Sequence, residues 1–202
     1  MSENNDFTHL HVQRKLKPKI EDVIPLIVDK DKQKDALILS AWLRENKMSP
    51  GWSGVHNAWD AKCKGKVICK ISLVESGYYG ENTKCSWLVS PYLEHIDKYE
   101  QKIIDENLQY FVLDNIIYCV QASKMERPTG SLKMKHYGLN YPCNIWGCAP
   151  GKTISVLGHK IENKCQNMNR RFYWFTDPDA ATLDAIKRLI ELEREARKSN
   201  HN

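Results

Sequence analysis

The sequence predicts an α+β protein, with antiparallel strands, packed helices and two related halves of the order helix, strand, strand, strand, helix. Three observations carry the prediction. Residues 32–47 place Leu37, Ile38, Ala41 and Trp42 at helical spacing, with Arg44, Glu45 and Lys47 off that stripe. Residues 67–73 follow a Lys64-Gly65 turn and end in a two-residue alternation, as a half-buried strand does. Three sets of anchors then recur in one order. Asn57-Ala58-Trp59 returns as Asn144-Ile145-Trp146, Gly65-Lys66-Val67-Ile68 as Gly151-Lys152-Thr153-Ile154, and Trp87 to Pro91 as Trp174 to Pro178. Such self-similarity points to a duplicated unit; the alternative is independent use of the same turn chemistry.

Along the chain, residues 1–29 read as an N-terminal arm, because Pro18 and Pro25 oppose a helix and Arg14, Lys15, Lys17 and Lys19 form a solvated basic run. A short apolar patch lies at 20–28. The first half spans 30–106. Its helix stops at Ser49-Pro50-Gly51, and strands are expected over 55–63, 67–73 and 85–89. Ser90-Pro91 then opens a second helix, burying Leu93, Ile96, Tyr99 and Ile103 and running to about Glu106.

The second half spans 107–197, with a tail at 198–202; the alternative is one compact domain. Residues 108–120 read as helix, since an Asp-Asn pair disfavours a strand. Residues 124–141, with Pro128, Gly130 and Gly138, read as a long loop. A hairpin follows, with its clearest strand at 152–157, then an aromatic strand at 171–176. Asp177-Pro178-Asp179 starts the last helix, with Asp177 as its cap and Leu183, Ile186 and Ile190 as its buried stripe. Beyond Glu191 the alternating charges predict a solvated, frayed end.

Composition bounds the function. The chain has 202 residues, 42% hydrophobic and 27% charged, enough for a core without staples and ordinary for a globular protein. No apolar run approaches the roughly twenty residues of a membrane span. Met1 to Arg14 contains no apolar signal core, and seven irregularly spaced cysteines fit a reducing compartment, so the expected location is cytoplasmic. A net charge of +5 with interspersed acids reads as solubility rather than affinity for nucleic acid, although Lys133, Lys135 and Arg170-Arg171 stand beside aromatics.

Residues 141–165 gather Cys143, Cys148, Cys165 and His159, a donor set that suits tetrahedral Zn²⁺, with Cys119 as another fourth ligand. Only one close cysteine pair is present, so ordinary buried thiols are the competing reading. Cys148 with His159 or His136 as base would be the thiol nucleophile of an enzyme, but no known signature surrounds it. Ala149-Pro150-Gly151-Lys152 lacks the spacing of a phosphate loop and reads better as a hairpin turn.

Gly65 to Cys69 and the segment from Trp174 to Ile190, with its D-x-x-T-L-D-A-I-K-R-L-I helix, resemble a family of uncharacterised bacterial domains of unknown function. The resemblance covers about half the chain and implies fold alone. More distantly, a duplicated strand-helix module is similar to effector-binding domains that hold small molecules between two halves. The expected function is therefore a non-catalytic small-molecule binder, its groove lined by Trp59, Trp146, Tyr78, Tyr79 and Tyr137. The alternative for both tryptophans is a pair of equivalent core positions. A zinc-stabilised interaction domain and a thiol enzyme are the competing functions.

Overall fold

The computed structural model of the protein describes residues 7–75, 85–116, 152–164 and 173–199. Its fold is α+β with antiparallel sheets. Three helices come first: α1 (Leu10–Leu16), α2 (Ile20–Ile27) and α3 (Lys30–Glu45). Then come β1 (Pro50–Trp52), β2 (Ala58–Cys63), β3 (Lys66–Leu73) and β4 (Trp87–Pro91), followed by a 3₁₀ turn over Ile96–Lys98. Short helices α4 (Glu100–Asp105) and α5 (Gln109–Leu113) lead to β5 (Lys152–Val156), β6 (His159–Lys164), β7 (Phe175–Thr176) and α6 (Ala180–Ser199). The main sheet runs β1-β2-β3-β4-β7, and β5-β6 form a separate hairpin.

Within the expected N-terminal arm, Leu10–Leu16 and Ile20–Ile27 are instead helical. Ile20, Val23 and Ile24 lie at i, i+3 and i+4 and are fully buried, which repays the turn that Pro25 disturbs near the end of α2. Pro18 sits between helices, after α1 has closed at Lys17 in the left-handed region. Gln13 locks α1 to the sheet: its amide donates to the Phe7 carbonyl and to Asn57 Oδ1. Its oxygen accepts from the Asn57 backbone N–H at 2.9 Å and the Trp52 indole at 3.3 Å.

Helix α3 forms where expected but turns another face inward. Ala36, Leu39, Ser40 and Leu43 are buried, while Leu37 and Ile38 remain 37% and 39% exposed and Trp42 is half-buried. Apolar residues occupy much of this helix's circumference, so periodicity alone does not choose the face. Glu21 of α2 does: it accepts from Ser40 and takes both arms of the Arg44 guanidinium at 2.7 and 2.8 Å.

Lys64-Gly65 makes the β2–β3 turn as expected, with both residues at positive φ, the conformation of a two-residue hairpin matched to strand twist. Leu157-Gly158 does the same for β5–β6, and residues 149–151 of the turn expected ahead of β5 lie outside the described residues. Pro91 ends β4 rather than opening a helix, and α6 is capped by Asp179, whose Oδ1 accepts the Thr182 N–H at 2.8 Å. Asp177 turns back to β4, accepting from the backbones of Ser86 and Trp87 at 2.9 and 3.1 Å. The far end of α6 is packed, not solvated: Leu192, Glu193, Ala196 and Arg197 are buried along with Leu183, Ile186 and Ile190.

Duplication is not what the described elements display. β2, β3 and β4 share one sheet, whereas β5 and β6 stand apart and β7 joins the first sheet beside β4. Trp87 is fully buried in its strand, and its proposed counterpart Trp174 is half-buried beside β7.

The main sheet has two distinct faces. Trp59, Cys69, Ile71, Leu73, Trp87, Val89 and Phe175 pack into the hydrophobic core with α2, α3 and α6. On the other face, pairing sets Gly51, Asp60, Lys70 and Ser90 side by side across β1 to β4, with Ala58, Ser72, Leu88 and Thr176 as the adjacent row.

Candidate functional site

Of the residues expected to form sites, Tyr78, Tyr79, Tyr137, Trp146, Cys119, Cys143, Cys148, Cys165 and His136 lie outside the described residues, as do Lys133, Lys135, Arg170 and Arg171. His159 is described and is exposed at the start of β6. Trp59 is fully buried, and its indole N–H donates to the Pro18 carbonyl at 2.9 Å. It therefore fills the core position, the second of its two expected roles, and offers no ring face to a ligand.

Among the described residues, a dense titratable cluster surrounds Glu193. This fully buried carboxylate accepts from the His95 backbone N–H at 3.0 Å, His95 Nδ1 at 2.9 Å, the Tyr99 hydroxyl at 2.8 Å and Arg197 Nε at 2.7 Å. Burial, and next the neighbouring Glu193 charge, push the Tyr99 phenol upward, so it stays a protonated donor. Arg197 continues to the Val67 and Tyr92 carbonyls at 3.0 and 3.2 Å and stands 3.7 Å from Glu94. Glu94, His95 and Glu193 bring ligand atoms within 4.8 Å of one another, the spacing of a cation site. The guanidinium already supplies the positive charge there, and a divalent ion would have to displace it. The cluster is thus a clamp that fixes the loop after β4 to α6.

The thiols among the described residues are poor nucleophiles where burial acts on them. Burial, then the Asp60 charge, drives Cys69 far upward. Burial, then Asp177, pushes Cys85 up to about 11.

The outer sheet face is chemically different from both. Lys70, buried at 8% exposure in the middle of β3, lies 3.5 Å from Asp60 Oδ1 on β2 and donates to Ser53 Oγ at 3.4 Å. Asp60 Oδ1 is buried and accepts no hydrogen bond, so its contact with Lys70 is a charge contact without the aligned geometry of a short ion pair. The neighbours are small: Gly51, Ala58, Ser72 and Ser90. A side chain added at Gly51, directly opposite Asp60, would meet no atom within 4 Å where it begins. Among the described residues, Asp60 thus keeps one buried oxygen without a hydrogen bond on a rigid strand platform, and the space lies at Gly51 opposite it.

Sequence reasoning passed over this row because Asp60 and Lys70 look like the polar half of an amphipathic strand. The two-residue turn at 64–65 would by itself pair Asp60 with Cys69; a register shift between Ala61 and Lys62 sets Asp60 opposite Lys70 instead, and no turn or periodicity in the sequence marks that shift. No family model, curated protein or solved structure matches the chain.

Proposed function

We propose that the protein is a non-catalytic binding module whose ligand is a small zwitterion held on the outer sheet face. The carrying observation is the Asp60–Lys70 pair, loosely engaged at 3.5 Å with the Asp60 oxygen accepting no hydrogen bond. A ligand ammonium or amide donor satisfies that oxygen, and a ligand carboxylate or phosphate meets Lys70 Nζ. Burying a carboxylate without a hydrogen bond costs free energy, so a ligand donor recovers what folding leaves unmade. Ser90 and Ser72 add hydroxyls, and the space at Gly51 admits the body of the ligand. The site lies on strands rather than between duplicated halves, so it does not depend on the tryptophan pair.

Thermal melting against a panel of amino acids, betaines and phosphoamines tests the reading, with uncharged isosteres as controls. Zwitterions raise the melting temperature and their neutral isosteres do not. Equal response to both groups, or to neither, overturns the proposal.

A further inference from the structure

The face that α3 leaves outward carries a second, independent feature. Lys34, Leu37, Ile38, Ala41 and Glu45 are all exposed and lie at spacings of three and four, so they form one stripe along the helix. The other exposed large apolar residues among the described ones, Leu10, Leu16, Leu26, Val55, Ile104 and Tyr110, lie on other segments of the chain. Single exposed apolar residues need no explanation, but a stripe bordered by charges marks an interaction surface.

The ends of the stripe decide its partner. Lys34 stands at the N-terminal end and Glu45 at the C-terminal end, and neither forms an ion pair among the described residues. Rotating the helix by a two-fold axis perpendicular to itself, midway between Leu39 and Ser40, sets Ile38 against Ala41 and Leu37 against Trp42. The same rotation sets Lys34 against Glu45, twice. The stripe is therefore complementary in charge to its own antiparallel copy, with its apolar residues at the centre, which is the requirement of an isologous interface. We infer that this face of α3 is the contact by which two copies of the chain associate as a symmetric dimer. About 16 Å of helix takes part, which puts the contact at the small end of specific interfaces and makes the dimer weak and reversible.

Sedimentation of the full chain over a concentration series, under reducing conditions, tests the inference. The wild-type mass moves from one chain toward two as concentration rises. Ile38→Glu remains a single chain at every concentration while keeping its circular dichroism and melting temperature, as expected for a residue on the surface of the isolated chain. Lys34→Glu weakens association several-fold, and the Lys34→Glu/Glu45→Lys exchange restores it; Tyr110→Ser leaves it unchanged. A wild-type chain that stays monomeric throughout overturns the inference. So does an Ile38→Glu chain that associates as the wild type does, or a charge exchange that fails to rescue the single reversal. None of these outcomes bears on the ligand site.

Discussion

Tyr99 donates its hydroxyl to the buried carboxylate of Glu193 over 2.8 Å, joining the turn after β4 to the last two turns of α6 across 94 residues of sequence. Together with His95 and Arg197 it makes Glu193 a fully satisfied ion in the interior. Tyr99→Phe removes one charge-assisted bond and is expected to cost about 1.5–3 kcal/mol. Glu193→Ala leaves Arg197 without its main partner and is expected to cost about 3–5 kcal/mol. Urea unfolding of the two variants checks both the sizes and their order.

Glu21 sets an acid limit on the packing of α2 against α3. Burial alone would raise its pKa, but hydrogen bonds from Arg44 and Ser40 outweigh that and hold it at about 2, against an ordinary 4.5. A carboxylate lowered on folding adds stability that is full above its unfolded value and disappears as pH falls through 4.5 toward 2. The pair is about a third exposed, so solvent screening reduces the contribution to about 1 kcal/mol. In urea melts at stepped pH, Glu21→Gln flattens the stability loss across that interval.

Asp177 joins three parts of the fold. Its Oδ1 accepts from Ser86 and Trp87 at the head of β4, its Oδ2 lies 2.8 Å from Lys32 of α3, and its own backbone has φ of 41°. Asn keeps the acceptor and tolerates the left-handed region, whereas Ala loses the acceptor and is strained there. Asp177→Asn is therefore expected to cost about 1 kcal/mol and Asp177→Ala about 2–3 kcal/mol. Thermal denaturation orders the two variants.

Gly51 offers a way to close the ligand site without unfolding the protein. Its φ is not positive and nothing crowds the added carbon, so Gly51→Leu is expected to leave the melting temperature within a few degrees of wild type. The same side chain fills the space beside Asp60, and the zwitterion-induced rise in melting temperature disappears.

Much of this fold was legible in the chain. The Lys64-Gly65 turn, the strand after it, the existence of α3 and the buried stripe of α6 follow from turn chemistry and periodicity. The failures share one cause, which is that tertiary partners choose between local options. Pro25 argued against a helix at 20–27, yet three buried aliphatics at helical spacing outweighed it. The choice of face on α3 rests on Arg44 and Ser40 meeting Glu21, a contact that no window of α3 contains. Glu193 and Arg197 read as surface charges because their partners, His95 and Tyr99, come about a hundred residues earlier. Asp60 and Lys70 become a site only through strand register.

The most direct measurement is calorimetric titration of the best stabilising zwitterion into the wild-type chain and into Asp60→Asn/Lys70→Met. The double variant removes both charges together, so no ion is left buried alone and the fold is kept. Saturable binding by the wild type, with affinity lost by at least tenfold (~1.4 kcal/mol) in the folded double variant, is the predicted result. Undiminished binding by that variant would contradict the account.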